Sequence, residues 1–313
     1  MQVNRITPEV RELASGLQFP EGPIALSDGS VILVEMRRQT LSRVTPDGEV
    51  EIVARLGGGP NGAAAGPDGL VYVANNGGGE WVTDQQGNTL PMSPPDGSRG
   101  SIQVVDPRTG KVRTLYDRCD GRPIGCPNDL VFDDHGGFWF TDFGTYRPGS
   151  SEHGGVYFAR ADGSRIERSP LPLEHPNGIG LSPDGKRLYV AETPTGQCLA
   201  HDLDAPGVLA AGHGSHVLAH LDGQFLDSLA VDGAGHVCVA TLVTGAVSDI
   251  WPDGARIDQY LLPHPIVTNV CFGGPGLGTA FATLSMDGRL VAFDWPRPGL
   301  PLKPVTTHVP LPR

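Results

Sequence analysis

The stretch NGIGLSPDGKRLYVAE, residues 177–192, contains the pattern that decides the fold. It begins with a polar residue, Asn177, continues with an apolar run, turns at Pro-Asp-Gly and ends with a second apolar run. Runs rich in Val, Ile, Leu and Tyr favour β-strands, and a Gly-containing turn between two of them is typical of a hairpin. This stretch therefore predicts a strand, a tight turn and a second strand.

The same pattern occurs six times along the chain. Each copy begins with an oxygen-bearing side chain, and these six residues, here called the head residues, are Glu21, Asn61, Asn128, Asn177, Asp227 and Asn269. Successive head residues are 40 to 67 residues apart, which is the spacing expected of four-stranded propeller blades. The sequence therefore predicts an all-β fold, a six-bladed β-propeller of four-stranded blades with few and short helices.

The longest interval, from Asn61 to Asn128, predicts an insertion. The Gly- and Pro-rich residues 77–100 account for much of it, and we expect them to form a lid, since loops on a rigid scaffold often determine specificity. The repeats continue without a linker, so residues 1–313 are expected to form a single domain. Residues 10–13 are expected to close the ring as an outer strand beside residues 288–295, because an open ring would leave an unpaired edge.

Composition and charge exclude several classes of partner. The formal net charge is −12, and no cluster of Lys and Arg with interleaved aromatics points to nucleic acid. No apolar stretch approaches the roughly 20 residues of a membrane helix, so no membrane partner is expected. The charged first residues do not resemble a signal peptide, so we expect a cytoplasmic protein, either a monomer or a small homo-oligomer.

The six head residues are expected to converge, because the innermost strands of a propeller surround one central channel. Glu21 and Asp227 would supply carboxylates, and Asn128 and Asn177 would supply amide oxygens. Such oxygen ligands suit Ca²⁺, Mg²⁺ or Mn²⁺, and Zn²⁺ or Fe²⁺ could also bind when available. We therefore predict one divalent cation, with Ca²⁺ as the first choice.

A purely structural interpretation of the head residues is also open, because Asn and Asp are common turn residues that hydrogen-bond their own backbone. That interpretation does not explain Glu21, which is a poor turn former in the same position. For Asn61 and Asn269 both interpretations stay open.

The repeats resemble those of the SMP-30/gluconolactonase/LRE family of six-bladed propellers over nearly the full chain. The resemblance rests on FPEGPIALSDG at 19–29, CPNDLVFDDHGGFWFTDFG at 126–144, HPNGIGLSPDGKRLYVAET at 175–193, FLDSLAVDGAGHVCVAT at 225–241 and TNVCFGGPGLGTAFATL at 268–284. It implies a calcium-type metal held by a Glu, two Asn and an Asp, which correspond to Glu21, Asn128, Asn177 and Asp227.

The resemblance also implies hydrolysis of a lactone, with a small sugar-acid or hydroxy-acid lactone as the partner molecule. A cation would polarise the carbonyl, and Asp227 is the predicted catalytic residue because a ligand that uses one oxygen keeps the other free as a base. A covalent route through Asp227 stays open. The alternatives are hydrolysis of another ester or a phosphotriester on the same metal, and a non-catalytic propeller that binds a ligand.

Five neighbours of the predicted ligands are candidates for substrate binding. They are Asn61, Cys126, His175, Ser228 and Asn269. An Asp-Ser pair like that at Ser228 resembles a bacterial lactonase branch in which the Ser oxygen helps to bind the ion. Cys126 stands where animal sugar lactonases carry Arg, so the resemblance alone does not carry over their aldonolactone specificity. His175 could overhang the channel or lie exposed in a surface loop.

The five Cys residues form no CxxC pair, and we expect reduced, mostly buried thiols rather than a catalytic nucleophile.

Overall fold

Six mainly antiparallel β-sheets follow one another along the chain. The structure is a computed structural model, which describes residues 2–83, 89–92, 98–147, 150–211 and 215–301. The only helical element in these ranges is the 3₁₀ turn Pro275–Leu277. No helix in the described ranges is long and apolar enough to cross a bilayer.

Each sheet is one blade and consists mainly of four strands. Listed from the inside outward, the strands are Pro20–Ala25, Val31–Glu35, Thr40–Val44 and Val50–Arg55 in blade 1; Pro60–Ala65, Val71–Asn75, Ser101–Asp106 and Lys111–Tyr116 in blade 2; Pro127–Phe132, Gly137–Arg147, Ser150–Arg160 and Ile166–Arg168 in blade 3; Pro176–Leu181, Arg187–Glu192, Gln197–Ala205 and His216–His220 in blade 4; Phe225–Val231, Val237–Leu242, Ala246–Ile250 and Arg256–Leu261 in blade 5; and Val267–Gly273, Thr279–Leu284, Arg289–Asp294 and Arg11–Ala14 in blade 6.

The first strands of neighbouring blades contact one another in turn, and the first strand of blade 6 contacts that of blade 1. These six inner strands therefore surround a central channel, and the predicted all-β propeller is confirmed. The six head residues all lie near the start of their inner strands, at what we call the head end of the channel. The tight turns that follow the inner strands lie at the opposite, turn end.

Apolar side chains pack between adjacent blades and hold the ring together. Between blades 2 and 3, the buried ring of Tyr72 contacts those of Phe132 and Phe138. Between blades 3 and 4, Trp139 packs edge-on against Phe158 and belongs to a cluster that includes Ile179. Burying one such side chain contributes roughly 1.5–3 kcal/mol.

The N-terminal segment adds strands to two blades. Arg11–Ala14 pairs antiparallel with Arg289–Asp294, so it forms the outer strand of blade 6, one residue later than predicted. Gln2–Ile6 pairs parallel with Arg256–Leu261 and makes a fifth strand on blade 5. The sequence did not predict this fifth strand.

The predicted insertion lies in blade 2, between its second and third strands. It contains a hairpin of Glu80–Thr83 with Thr89–Met92, and residues 84–88 and 93–97 of the predicted lid lie outside the described residues. Two shorter additions are the hairpin of Arg118–Cys119 with Arg122–Pro123, before blade 3, and Val208–Leu209, which pairs with the third strand of blade 4. The lid function stays a prediction.

Candidate metal centre

A β-bulge interrupts strand pairing at or next to each of the six head residues. The register of the inner strand shifts between Glu21 and Ile24, Pro60 and Gly62, Pro127 and Leu130, Pro176 and Ile179, Leu226 and Leu229, and Val267 and Asn269. A bulge leaves a residue unpaired and redirects its side chain. The repeated sequence pattern thus corresponds to a repeated β-bulge, which orients the head side chains differently from the other side chains of the strand.

The four predicted ligands lie in or close to the protein interior. Glu21, Asn128 and Asn177 are 2 %, 7 % and 5 % exposed, whereas Asp227 is partly exposed. Burial raises the pKa of Asp227 well above its usual range, and the neighbouring charge of Glu21 raises it further. A hydrogen bond from Asn177 acts in the opposite direction. Glu21, Asn177 and Asp227 are therefore brought together, from three different blades.

Two amide oxygens in this group have no hydrogen-bond partner. They are Oδ1 of Asn128 and Oδ1 of Asn177, both buried. The Asn177 amide is oriented by its nitrogen, which donates to Thr193 Oγ1 at 3.1 Å. Buried oxygens without a donor are costly, and two such oxygens at head positions, together with the head carboxylates of Glu21 and Asp227, match the ligand set of a hard divalent cation. The residues present therefore fit the predicted metal.

The side chain of Asn269 is hydrogen-bonded to that of Glu21. Its Nδ2 donates to Glu21 Oε2 at 3.0 Å, and its Oδ1 accepts from the Val270 backbone at 2.8 Å. Burial raises the pKa of Glu21 to about 7, whereas hydrogen bonds such as that from Asn269 lower it. Asn269 thus holds Glu21 in place.

A third buried carboxylate, Asp129, lies in the same group, and sequence reasoning missed it. It is 6 % exposed, and burial raises its pKa to about 7, with a further contribution from the charge of Glu21. Ser228 Oγ faces it without regular hydrogen-bond geometry. The available signal was the residue after each head, which is Gly in three repeats and Asp only here.

Two of those glycines create the space for this group. A Cβ on Gly62 would lie 2.5 Å from the Asn128 carbonyl oxygen and 2.9 Å from Asp129 Oδ1. A Cβ on Gly178 would lie 2.6 Å from the Asp227 carbonyl oxygen. The inner strands therefore approach one another so closely at this level that larger side chains at these two positions would displace the candidate ligands.

Carboxylates on the second strands of three blades hold the loops that lead into the head residues. Asp142 accepts the backbone N–H of Gly125 at 2.8 Å and that of Cys126 at 2.6 Å. Glu35 accepts the N–H of Gln18 at 2.7 Å, and Glu192 accepts that of Glu174 at 2.6 Å. The same type of contact thus holds the loops that precede three head residues, Glu21, Asn128 and Asn177.

The remaining predicted substrate-binding residues lie around the ring. Asn61 is half-buried on the inner strand of blade 2, and Ser228 is buried directly after Asp227. Cys126 is half-buried, and burial raises the pKa of its thiol, which opposes a nucleophilic role. All five cysteines are free, as predicted, and four of them are buried. The substrate-binding roles of these residues stay predictions.

The interpretation of His175 as an exposed loop residue is wrong. The side chain is 8 % exposed, and its Nδ1 lies 2.8 Å from the Phe143 carbonyl oxygen. Its ring packs against Phe143 at 4.9 Å, and His153 is 6.3 Å away between ring centroids.

His175 and Phe19 occupy the same place in their repeats, two residues before the head, and both have left-handed backbone angles. Phe19 contacts Trp81 of the inserted hairpin at 5.2 Å. Aromatic groups therefore border the loops that lead to Asn177 and Glu21.

Known proteins with similar sequences are lactonases. The chain is 25% identical to a gluconolactonase of Zymomonas mobilis over 87% of its own length and 78% of that protein. It is 34% identical to the lactonase drp35 of Staphylococcus haemolyticus, but this match spans only 44% of the chain and 42% of the relative.

A solved structure with the same fold is that of regucalcin, a calcium-binding protein from Agrobacterium tumefaciens. The TM-score is 0.73 at 18% identity, and the match covers 96% of this chain and all of the other. At that level of identity the likeness shows the fold alone. Residues 19–286 match the family model described as the SMP-30/Gluconolactonase/LRE-like region. The chain therefore belongs to the SMP-30/gluconolactonase/LRE-like family.

Proposed function

We propose that this protein hydrolyses small lactones with the help of one divalent cation held by Glu21, Asn128, Asn177 and Asp227. The observation that carries the proposal is the pair of buried, unpartnered amide oxygens beside two carboxylates of raised pKa. A cation satisfies all four groups at once, because it supplies the positive charge that the surrounding side chains lack. Ca²⁺ is the first candidate for these oxygen ligands.

The lactonase assignment rests on the family membership and the lactonase relatives as well as on this geometry. A bound divalent cation supplies Lewis acidity that polarises a carbonyl and stabilises developing negative charge on its oxygen. The substrate class that follows is a sugar-acid lactone or a related hydroxy-acid lactone, as in the gluconolactonase relative. The border of aromatic side chains at Phe19 and His175 limits how a cyclic substrate can enter.

Asp227 is the proposed general base toward the attacking water. It is the one predicted ligand with appreciable exposure, so water and substrate can reach it. Its Oδ1 accepts the Ser228 N–H at 3.0 Å, which fixes the carboxylate plane. A base must lie within hydrogen-bond reach of the proton that it removes, and a partly exposed carboxylate next to the cation would meet that condition.

Asp129 has a different proposed role. It is buried near Glu21 and Ser228 and directly follows the predicted ligand Asn128. Burial and the charge of Glu21 raise the pKa of Asp129 to about 7. Asp129 acts through the neighbouring ligands as a positioning residue rather than by contact with the substrate.

A panel of lactones tests the proposal. Hydrolysis is followed by proton release after metal removal with EDTA and again after addition of Ca²⁺, Mg²⁺, Mn²⁺ or Zn²⁺. We expect activity to disappear with the metal and to return with it, while circular dichroism shows that the fold persists. A carboxylic ester and a phosphotriester in the same panel test the other hydrolase alternatives.

Two variants locate the chemistry. Asp227→Asn should reduce kcat at saturating metal by at least about 100-fold, in the range of removed catalytic acids and bases. Glu21→Gln should weaken metal binding first, as measured by calorimetry. Lactonase activity that survives both substitutions unchanged would refute the assignment. Activity on the ester or phosphotriester alone would replace lactone hydrolysis with that reaction.

A further inference from the structure

A cavity of about 340 Å³ runs along the channel from the candidate metal centre to the turn end. Its wall is mostly apolar and includes Ile24, Ala65, Ile179 and Val231. Asp129 lines the cavity at the head end, and Asp133 lines it at the turn end. Asp133 is four residues further along the chain, which at the spacing of a β-strand is roughly 13 Å. The volume lies within the range of small-molecule sites, roughly 300–1,000 Å³.

The carboxylate of Asp133 is only half used by the protein. Its Oδ1 accepts the backbone N–H groups of His135 at 2.7 Å and Gly137 at 2.8 Å, which is an ordinary turn function. Its Oδ2 is buried and has no hydrogen-bond partner among the described residues, and the residue as a whole is only 7 % exposed. A buried, ionisable oxygen without a partner is costly, so this oxygen requires a donor that the described chain does not supply.

Blade 5 shows what such a donor looks like. Asp232 stands five residues after its head residue, as Asp133 does in blade 3, and its Oδ1 also accepts two turn N–H groups. Its Oδ2, however, accepts from the Arg297 guanidinium at 2.5 Å. Arg297 also pairs with Asp249, so this acidic group is neutralised from within the chain. The same position in the repeat therefore carries a cationic partner in blade 5 and, among the residues that the structure describes, none in blade 3.

A second unpartnered group lies on the same sheet face as Asp133. In the inner hairpin of blade 3, Val131 pairs with Trp139, so Asp133 and Trp139 point to one side of the sheet about two residues apart. Trp139 is 1 % exposed, it lines the cavity, and its Nε1 has no acceptor. One buried acceptor and one buried donor thus border the same cavity.

We propose that this cavity binds a small organic amine with an oxygen acceptor near its ammonium group and an apolar body. The ammonium donates to Asp133 Oδ2, the ligand oxygen accepts from Trp139 Nε1, and the apolar body lies against the channel wall. The site is separate from the candidate metal centre, and the inference does not depend on the proposed lactonase activity.

The charges at this end of the cavity favour a cationic ligand. Asp134, Asp184 and Asp204 line it as well, against Lys186 as the one permanently charged cation in the lining. A metal ion fits less well. Among the described residues, the group of three His, Cys, Asp or Glu side chains whose ligand atoms lie within 4.8 Å of one another is Asp232, Cys238 and Asp249, and Asp133 does not belong to it. Trp139 would also remain without an acceptor beside a metal.

Calorimetric titration of the Ca²⁺-loaded protein with three matched probes tests the inference. They are 2-amino-1-phenylethanol, 1-phenyl-1,2-ethanediol, which lacks the ammonium, and 2-phenylethylamine, which lacks the oxygen. We expect the amino alcohol to bind most tightly and the diol to bind at least about tenfold more weakly, because it cannot form the charge-assisted hydrogen bond.

Two variants identify the site. Asp133→Asn keeps an oxygen for the turn and should weaken binding of the amino alcohol by about tenfold or more. Asp184→Asn removes the same charge from the same cavity, but its carboxylate already accepts from Ser182 and Lys186. It should change binding by less than about threefold, as expected of an exposed charge that solvent screens. Trp139→Phe should abolish the preference for the amino alcohol over 2-phenylethylamine.

Three results would overturn the inference. One is the absence of binding by any probe at millimolar concentration, which would leave water as the occupant of the cavity. Another is equal affinity of the wild type and Asp133→Asn for the amino alcohol. The third is an equal loss in Asp184→Asn and Asp133→Asn, which would reduce the effect to general electrostatics. The melting temperature of each variant shows whether a loss of binding reflects unfolding, and Asp133→Asn is expected to be at least as stable as the wild type because it removes an unpaired buried charge.

Discussion

Glu21, Asp129 and Asp227 lie near one another at the head end of the channel, and the charge of Glu21 opposes ionisation of the other two. Glu21 raises the pKa of both Asp129 and Asp227, and burial raises all three. Hydrogen bonds from Asn177 and Asn269 offset only part of this effect. At residue scale the metal-free protein therefore contains a destabilising cluster of acids, which protonation or a cation can relieve.

The stability of the metal-free protein should decrease as the pH rises. Glu21 and Asp129 have ordinary pKa values of 4.5 and 3.8, and both rise to about 7 in the folded protein. Between these values the folded protein binds more protons than the unfolded chain, so the free energy of unfolding falls with increasing pH. Melting in EDTA between pH 5 and pH 8 measures the effect. With saturating Ca²⁺ the decrease should vanish, and a metal-free protein that is more stable at pH 8 than at pH 5 would contradict the prediction.

Asn269→Ala should weaken metal binding and leave kcat at saturating metal nearly unchanged. The substitution removes the donor that holds Glu21 Oε2 at 3.0 Å, and loss of a group that orients a ligand typically costs about 10–100-fold in metal affinity. Asn61→Ala is the matched control at the same place in the repeat. We expect it to raise KM for the lactone instead, and equal metal dissociation constants for the two variants would show that Asn269 has no special role.

At the scale of elements, the repeated loop contacts connect the rigid blades to the ring of head residues. A carboxylate on a second strand, such as Asp142, accepts backbone N–H groups of the loop that precedes the head residue of the same blade. The bulge at the head then turns the side chain into the channel. The position of Asn128 is therefore set by its neighbouring strand and not by its own loop alone.

Asp142→Ala should destabilise the protein by about 2–4 kcal/mol, because it leaves the N–H groups of Gly125, Cys126 and Gly144 without their acceptor. The free energy of unfolding in urea measures this loss. Asp142→Asn retains one acceptor oxygen and should cost less than half as much. If Asp142→Ala unfolds at the same urea concentration as the wild type, the loop does not depend on this contact.

The sequence predicts the parts of the site that repeat and misses those that depend on distant packing. Glu21 and Asp227 stand at a repeated position, so their convergence follows from the propeller alone. Asp129 occurs once, and its place beside Ser228 depends on the approach of inner strands two blades apart in the chain. The fifth strand Gln2–Ile6 was missed for a similar reason, because its partner Arg256–Leu261 is more than 240 residues away.

At the scale of the whole molecule, the N-terminal segment spans two blades. Gln2–Ile6 extends blade 5, and Arg11–Ala14 supplies the outer strand of blade 6. Without Arg11–Ala14, the third strand of that blade would become an exposed edge. Gln2–Ile6 therefore adds an outer strand to a blade that is already complete, whereas Arg11–Ala14 completes blade 6.

Deletion of residues 1–15 should lower the melting temperature strongly and increase the tendency to associate. Deletion of residues 1–8 alone removes only the fifth strand of blade 5 and should have a clearly smaller effect. Differential scanning calorimetry and light scattering of the two truncated proteins measure both properties. An unchanged melting temperature in the longer deletion would show that Arg11–Ala14 does not stabilise the ring.

The pairing of Arg11–Ala14 with Arg289–Asp294 also sets an order of events during protein synthesis. Residues 11–14 are translated before blades 1 to 5, whereas their partner strand, residues 289–294, is translated after them. Blades 1 to 4 can form in sequence as the chain leaves the ribosome, but blade 6 stays incomplete until residues 289–294 have emerged. Until then residues 11–14 remain without their partner strand and available to chaperones.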